Sequence, residues 1–314
     1  MAESEGFPVL IVGTGALACL FGARLAAQGH AVTFVGRWKA GVEALQRRGV
    51  VLVEADGTEH RHSVQATSDP EALPRHRFAL VLVKSWQTEE AVRRLRPALA
   101  PEGVALTLQN GIGPQEILAR GLGAQRVAVG VTTAGATLLG PGRVRAAGQG
   151  EVTVARHPRV GPLLQALVRA GFPVHVVEDV RAALWGKLLI NVAINPFGAL
   201  LEVPNGALLE DRTAQMFMRK AVEEVVAVAR ALDVTLPYPD PWEKVLQVLH
   251  ATATNRNSML QDLERGAPTE IDALCGAVVR QADALGLDAS MNRVLWQMIR
   301  KTAASSHKFF MSIA

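Results

Sequence analysis

The hydrophobic pattern at the start of the chain predicts alternating buried strands and helices. Pro8–Val12 is a short apolar run, Leu17–Gln28 carries apolar residues at helical spacing, and Ala31–Val35 is a second apolar run. Gly29 provides a stop signal for the helix between the two runs. A strand, a helix and a second strand within about 30 residues predict a β-α-β unit with parallel strands.

Apolar and alternating segments further along the chain predict more strands, with a helix among them. The strands are expected at Val50–Val53 and His60–Gln65, which form a hairpin around Asp56-Gly57, and at Phe78–Val83, Val104–Leu108, Arg126–Val131 and Glu151–Ala155. The helix is expected at Glu89–Leu99. The glycine-rich segment Gly135–Gly150 is expected to form loops.

From Val180 onward the pattern is helical. Apolar residues recur at intervals of three and four in Val180–Asn195, Glu210–Leu232, Trp242–Thr254, Glu270–Leu285 and Asn292–Ala304. A mixed α/β half followed by an all-α half predicts two domains. We expect an N-terminal Rossmann-like, doubly wound sheet over residues 1–178 and an all-helical C-terminal domain over residues 179–314.

The composition is that of a globular protein large enough for two domains, with 314 residues, 49% of them hydrophobic and 20% charged. The basic residues are scattered, so no nucleic-acid partner is expected. The cysteines, Cys19 and Cys275, are far apart, and the acidic N-terminus lacks the basic segment of a signal peptide, which favours the cytoplasm. The close histidine pair His60 and His62 has no further ligand at metal-binding spacing, so no metal is expected.

The apolar segment Ala182–Leu201 is long enough to raise the question of a membrane span. However, Lys187, Asn191, Asn195 and Pro196 lie inside it. An ammonium group and two carboxamides would be costly in lipid. The segment is therefore predicted to be a buried helix, with no membrane partner.

The residues Gly13-Thr14-Gly15-Ala16-Leu17-Ala18 match the G-x-G-x-x-A pattern of a dinucleotide-binding turn. In this pattern the first glycine permits the tight turn, the second lets a pyrophosphate approach the backbone, and a small third residue lets helix and strand pack. The helix N-terminus adds amide donors and partial positive charge. An incidental glycine-rich turn is the alternative, but the strand-turn-helix-strand order favours cofactor binding.

The end of the second predicted strand distinguishes between the two nicotinamide cofactors. NAD sites place a carboxylate there for the ribose hydroxyl, whereas NADP sites use arginine for the 2′-phosphate. The chain reads Phe34-Val35-Gly36-Arg37-Trp38-Lys39, with no carboxylate before Glu43. Arg37 is therefore predicted to bind the 2′-phosphate of NADP(H), with Lys39 adding charge. The alternative is that Arg37 is a solvated loop residue.

Two further polar residues follow predicted strands. Lys84 comes just after the third buried strand, and Asn110 comes after the fourth. Ligands of open α/β sheets bind outside the carboxyl ends of the strands, so both residues are predicted to face the cofactor crevice. Ordinary turn chemistry at Asn110-Gly111 is the alternative, and position alone does not decide between the two.

Lys187, Asn191 and Asn195 are spaced i, i+4 and i+8, which puts them on one face of a helix. Their neighbours are nearly all apolar, so this face is expected to be buried or to line a cleft. Burying a lysine without compensation is costly, and desolvation lowers its pKa toward the range useful for donating a proton to a carbonyl oxygen during hydride addition. The alternative is a structural lysine paired with a carboxylate elsewhere in the chain.

Taken together, these segments resemble the ketopantoate reductase family. The resemblance rests on Gly13–Ala18, Val83-Lys84, Gln109-Asn110-Gly111, Lys187…Asn191…Asn195, Ser258-Met259-Leu260-Gln261-Asp262 and Thr269-Glu270-Ile271-Asp272, in the family's order and across nearly the whole chain. The chain departs from the family at Ala18, where a third glycine is commoner, and at Ser85-Trp86, where pairs such as Ala-Tyr are frequent. Neither departure affects the predicted proton donor.

The resemblance implies an enzyme that reduces 2-dehydropantoate to (R)-pantoate with NADPH, on the route to pantothenate and coenzyme A. It implies that Lys187 is the proton donor and that Glu270, near the nicotinamide ribose, orients the active site. It also implies substrate contacts at Asn191, Asn195, Asn205 and Ser258, cofactor contacts at Lys84 and Ala136, and contacts with both ligands at Asn110.

Two other functions stay open at this point. The first is a related NADP-dependent 2-keto acid or hydroxyacid dehydrogenase of the same layout, such as a β-hydroxyacid or glycerol-3-phosphate dehydrogenase. The second is a non-catalytic NADP sensor, which has no need of a proton donor on the face of Lys187. A small 2-keto acid is the expected partner, and a homodimer is left open.

Overall fold

The structure, a computed structural model, describes residues 6–148 and 150–313, with side chains as far as residue 305. The chain forms two compact units. The first contains the described residues up to Gln109 together with Pro114–Val180. The second contains Asn110–Gly113 and the chain from Arg181 onward. A short piece of the N-terminal half therefore belongs to the second unit.

The first unit alternates strands and helices, as the hydrophobic pattern predicts. Its strands are β1 Val9–Val12, β2 Val32–Val35, β3 Val50–Val53, β4 Glu59–His62, β5 Gln65–Thr67, β6 His76–Val81, β7 Leu99–Thr107, β8 Val127–Thr132, β9 Gly135–Gly140, β10 Arg143–Ala147, β11 Val152–Ala155 and β12 Val174–Val177. Its α-helices are α1 Ala16–Ala27, α2 Lys39–Arg48, α3 Thr88–Ala98, α4 Pro114–Leu122 and α5 Gly161–Arg169.

The main sheet has the strand order β12-β11-β8-β7-β6-β1-β2-β5. Its neighbours pair in parallel, except for the antiparallel pair β8 and β11. Along β1, Val9 and Ile11 pack into one hydrophobic cluster with α1, while Leu10 and Val12 pack into another with α3 and α4. Both faces of the sheet are thus covered by helices, which confirms the predicted doubly wound, Rossmann-like fold.

A second sheet of four strands has the order β4-β3-β10-β9. The predicted hairpin of β3 and β4 is present, since these two strands pair antiparallel. The prediction of loops over Gly135–Gly150 is wrong, because β9 and β10 form an antiparallel hairpin there. In addition, β10 pairs in parallel with β3. These long-range hydrogen bonds outweigh the local preference of the glycines for turns.

A close contact between α1 and β2 requires a residue without a side chain. A Cβ atom built on Gly22 would lie 2.2 Å from Cζ of the fully buried Phe34. Substituting Gly22→Ala should therefore destabilise the protein by about 1–2 kcal/mol, since the overpacking exceeds the helix propensity that alanine adds. Urea unfolding measures the effect. Gly161→Ala is the control, because a Cβ there meets nothing within 4 Å, and equal unfolding midpoints for the two variants would contradict the packing argument.

The second unit is helical throughout its regular elements. Its α-helices are α6 Arg181–Leu200, α7 Arg212–Ala231, α8 Pro241–Ala251, α9 Ser258–Glu264, α10 Cys275–Leu285 and α11 Ser290–Ile313. Helix α6 packs against α7, α8 and α9, so it forms the centre of this unit.

Helix α6 continues five residues beyond the predicted end at Asn195, to Leu200, with Pro196 inside it. Proline removes one helical hydrogen bond, and burial of the surrounding residues offsets that loss. The helix is long and apolar enough to cross a membrane, but 72% of its most apolar window is buried inside the protein. It is therefore the core helix that the polar residues within it predict.

Candidate functional site

The strand register brings the carboxyl ends of four strands of the main sheet to one edge. Val12 of β1 pairs with Val35 of β2 and with Val81 of β6, and Val81 pairs with Thr107 of β7. The chain order reverses at β1, which has β2 on one side and β6 on the other. Such a reversal creates the crevice in which doubly wound sheets bind their ligands.

The glycine turn after β1 has the geometry that a dinucleotide needs. Gly13 has φ +121°, a conformation that favours glycine, and a Cβ atom there would lie 3.1 Å from the Leu82 carbonyl oxygen. Gly15 precedes α1, and a Cβ atom built on it meets nothing within 4 Å, so its backbone faces open space. The first turn of α1 contains no acidic residue. A pyrophosphate can therefore approach the free amide groups of the α1 N-terminus.

Arg37 follows β2 at the same edge of the sheet. Its side chain is exposed, and its Cζ atom lies 5.3 Å from the centroid of the Trp86 ring. Lys39, in the first turn of α2, has its Nζ atom 4.0 Å from a Glu43 carboxylate oxygen. No ion pair of Arg37 is found among the residues that the structure describes. The exposed guanidinium group is thus available for an anion, and its assignment to the 2′-phosphate of NADP(H) stays a prediction.

Gln109, to which the sequence pattern gives no role of its own, fixes the loop that carries Lys84. Its buried side chain accepts a hydrogen bond from Thr107 Oγ1 at 3.0 Å and donates from Nε2 to Thr88 Oγ1 at 2.9 Å and to the Val83 carbonyl at 3.2 Å. These bonds tie the segment around Lys84 to the end of β7. The one sequence signal that points to Gln109 is its place directly before Asn110 in the Gln109-Asn110-Gly111 block.

Lys187 lies on α6 within the helical unit and is half-buried. Desolvation lowers the pKa of its ammonium group to about 8, and the negative charge of Glu270 opposes this shift. The lysine therefore has a lowered pKa and also interacts with a carboxylate, and its role as the proton donor stays a prediction. Asn195 is buried and Asn191 half-buried on the same helix.

Glu270 is buried, with 6% of its surface exposed, in the turn between α9 and α10. The helix predicted over Glu270–Leu285 begins only at Cys275, so Glu270 lies in the preceding turn and not in the first turn of that helix. Its carboxylate accepts a hydrogen bond of 3.0 Å from Nδ2 of Asn110. The structure therefore brings Asn110, Lys187 and Glu270 into one interacting group.

The chain around Asn110 is held against the Glu270 turn by its backbone. The amide of Ile112 donates to the Ala273 carbonyl at 3.0 Å. Gly111 has φ +83°, and a Cβ atom on it would lie 2.3 Å from the same carbonyl oxygen. Only glycine fits this approach, so Gly111 is a structural requirement for the position of Asn110.

The remaining predicted substrate residues lie on neighbouring elements of the helical unit. Asn205 is buried, its Nδ2 donates to Thr252 Oγ1 at 2.9 Å, and its Oδ1 has no hydrogen-bond partner. Ser258 is exposed and is the first residue of α9, whose N-cap is Asn257. A buried acceptor without a partner is costly in a closed core, so Asn205 is suited to receive a hydrogen bond from a ligand.

Ala136 lies in a different setting from the other predicted cofactor residues. It is half-buried on β9 of the four-stranded sheet and packs against the hydrophobic cluster that contains α1. Its assignment to the cofactor site stays a prediction. In the part of the chain that the structure describes, no three His, Cys, Asp or Glu side chains are grouped so that they could hold a metal ion.

Two family models match the chain. The model described as "Ketopantoate reductase PanE/ApbA" matches residues 9–159, and "Ketopantoate reductase PanE/ApbA C terminal" matches residues 179–303. A curated 2-dehydropantoate 2-reductase of Halobacterium salinarum is 36% identical over 297 residues, covering 93% of this chain and 97% of the relative. That of Pyrococcus horikoshii is 33% identical over 297 residues, covering 93% and 96%.

Solved structures show the same architecture. The crystal structure of a PanE/ApbA family ketopantoate reductase from Ralstonia eutropha JMP134 matches with a TM-score of 0.89 at 36% identity, covering 95% of this chain and 99% of that chain. A ternary structure of D-mandelate dehydrogenase with NADH and anilino(oxo)acetate also matches with a TM-score of 0.89, over 95% and 99% of the chains. Its identity is 23%, so this likeness concerns the fold alone.

Proposed function

The chain belongs to the ketopantoate reductase family, and from this membership we propose that it reduces 2-dehydropantoate to (R)-pantoate with NADPH. The observation that carries the proposal is the group formed by Lys187, Glu270 and Asn110. A half-buried amine with its pKa lowered to about 8 is a proton donor suited to carbonyl reduction near neutral pH.

The edge of the main sheet supports a nicotinamide dinucleotide as the cofactor. We assign the pyrophosphate to Gly13–Ala18, whose backbone is open at Gly15, and the 2′-phosphate to the exposed guanidinium group of Arg37. Lys84, Asn110 and Ala136 are proposed as further cofactor contacts. The bound cofactor supplies the hydride for the reduction.

Lys187 performs the acid chemistry in this proposal. As an ammonium group it donates a hydrogen bond to the keto oxygen and transfers a proton to that oxygen as the hydride adds to the carbon. Its charge also stabilises the negative charge that develops on the oxygen. Asn191 and Asn195, on the same helix, are proposed to hold the substrate, and Asn205 and Ser258 to bind its polar groups.

Glu270 acts through its two interaction partners. Its negative charge raises the pKa of Lys187 against the effect of desolvation, which keeps more of the donor protonated near neutral pH. Its carboxylate also orients the Asn110 side chain through the hydrogen bond of 3.0 Å. One buried carboxylate thus controls both the protonation of the donor and the position of an amide that is proposed to touch both ligands.

A substrate panel tests the proposed activity. We expect NADPH oxidation to be fastest with ketopantoate among a set of 2-keto and 3-keto acids, and slower with NADH. Faster oxidation with another keto acid would favour a related dehydrogenase of the same layout. Tight NADPH binding with no oxidation by any keto acid would favour a sensor and contradict the proposal.

The pH dependence of turnover tests the roles of Lys187 and Glu270. The donor must be protonated, so kcat/KM, which reports the free enzyme, should fall as pH rises through about 8, the pKa of Lys187. Because Glu270 raises this pKa, Glu270→Gln should move the falling limb to lower pH. Steady-state kinetics between about pH 6 and 10 measures the shift. Glu264→Gln, which removes an exposed carboxylate on α9, is the control, and a limb that stays in place in Glu270→Gln would refute the coupling.

A further inference from the structure

We propose that Trp86 is a specificity-determining residue, which holds Arg37 in the orientation that binds a 2′-phosphate. The inference rests on the proposed function, in which Arg37 is the phosphate-binding residue. It extends that function to an aromatic side chain in a different loop. The indole is offered as a positioning group and takes no part in the hydride or proton transfer.

The contact between Arg37 and Trp86 bridges the carboxyl end of β1, at the edge of the main sheet to which the cofactor is assigned. Arg37 follows β2 and Trp86 follows β6, and β1 lies between these two strands. Adjacent strands are about 4.8 Å apart, so the ends of β2 and β6 are separated by about 10 Å. The two side chains span this distance and meet, with the Arg37 Cζ 5.3 Å from the Trp86 ring centroid. This separation is within the range of a cation–π interaction.

The loop that presents Trp86 is held in place by hydrogen bonds. Trp86 lies in the 3₁₀ turn Ser85–Gln87. The Lys84 amide donates to Oε1 of Gln87 at 3.2 Å, and Thr88 Oγ1 donates to the Ser85 carbonyl at 2.6 Å. Gln109 ties the same segment to β7 through Thr88. The indole is therefore mounted on an ordered turn, which makes it suitable for orienting a flexible arginine.

Core packing does not explain the position of the indole, because Trp86 is 40% exposed. A guanidinium group stacks through its face, whereas its N–H groups point outward in its plane. Stacking on Trp86 therefore leaves the N–H groups of Arg37 free to bind a phosphate. It also restricts the rotamers of Arg37 before the ligand arrives, which reduces the entropy lost on binding. A ligand that lacks the 2′-phosphate gains nothing from this preorganisation.

Binding of the adenosine end alone tests the proposal without turnover. Calorimetric titration compares adenosine 2′,5′-bisphosphate with adenosine 5′-monophosphate on the full-length protein. From the usual strength of exposed cation–π contacts, Trp86→Ala should weaken binding of the bisphosphate about 2–5-fold and leave binding of the monophosphate nearly unchanged. Trp86→Phe, which keeps an aromatic face, should recover part of the lost affinity. Thermal unfolding of each variant should stay unchanged, since the ring is not part of the core.

Trp38→Ala is the matched control. Trp38 is also 40% exposed and is adjacent to Arg37 in the chain, but its ring packs over Gly41. The substitution should leave the preference for the bisphosphate intact. If Trp86→Ala weakens the binding of both ligands equally, the indole contacts the part that they share and does not contribute to phosphate recognition, which would overturn the inference. Unchanged binding of both ligands would overturn it too.

The variant Arg37→Ala separates failure of the inference from failure of the proposed function. If Arg37→Ala abolishes the preference for the bisphosphate and Trp86→Ala does not alter it, the role of Trp86 is wrong and the phosphate site stands. If Arg37→Ala leaves the preference intact, the phosphate site itself is wrong. If both assignments are correct, the double variant should bind the bisphosphate no more weakly than Arg37→Ala alone.

Discussion

Replacing Lys187 by alanine should lower kcat for ketopantoate reduction by about 10²–10⁴-fold, the usual contribution of a general acid. The amine is half-buried on α6, its pKa is lowered to about 8, and Glu270 acts on it electrostatically. No water molecule held in its place would carry the positive charge that stabilises the developing alkoxide. The affinity for NADPH, measured by fluorescence titration, should change little, because the assigned cofactor residues lie mainly in the sheet-bearing unit.

Two further variants sharpen this experiment. Lys187→Arg retains the positive charge, but a guanidinium group has a pKa above about 12 and is a poor proton donor, so it should not restore turnover. Lys220→Ala removes an exposed lysine from α7 and should leave kcat unchanged. Full turnover in Lys187→Ala would exclude this residue as the donor and would return it to a purely structural role.

Replacing Arg37 by alanine should raise the KM for NADPH by roughly 10–100-fold, as expected for losing one or two charge-assisted hydrogen bonds to a phosphate. The KM for NADH should stay nearly constant, because NADH has a hydroxyl group at that position. Initial rates with each cofactor at saturating keto acid measure the two values. The effect should weaken at high ionic strength, since the guanidinium group is exposed.

The control for this experiment is Arg47→Ala, which removes the same charge from an exposed position on the neighbouring helix α2. It should alter neither KM by more than about twofold, because Arg47 is not assigned a contact with the cofactor phosphate and its exposed charge is screened by salt. If NADPH and NADH weaken together in Arg37→Ala, the arginine contacts a part that both cofactors share. If neither changes, the alternative of a solvated loop residue is correct.

The fold was largely predictable because its main determinants are local. The turn at Gly13 needs a residue that tolerates φ +121°, and the alternation of apolar runs with helical spacing defines the β-α-β unit. The hairpin of β9 and β10 was not predictable, because glycines favour turns locally and the stabilising partner, β3, lies far away in the chain. Helix α6 likewise passes through Pro196 only because its surroundings bury it.

The candidate site was predictable in its single elements but not in its connections. Spacing alone placed Lys187 on one helix face with Asn191 and Asn195. That spacing could not show which carboxylate lies near Lys187. Glu270 is separated from α6 in the sequence by the three α-helices α7, α8 and α9. The bonds of Gln109 depend on strand register and on two separate loops, which no periodicity encodes.

The inclusion of Asn110–Gly113 in the helical unit has a consequence for biosynthesis. These four residues leave the ribosome well before α6, and their partners Glu270 and Ala273 emerge only after α6 to α9. The strands of the N-terminal half can therefore pair during translation before this tetrapeptide can form its hydrogen bonds with the second unit. A polypeptide that starts at Arg181 would lack the amide that hydrogen-bonds to Glu270, so splitting the gene at the apparent domain junction would leave the helical unit incomplete.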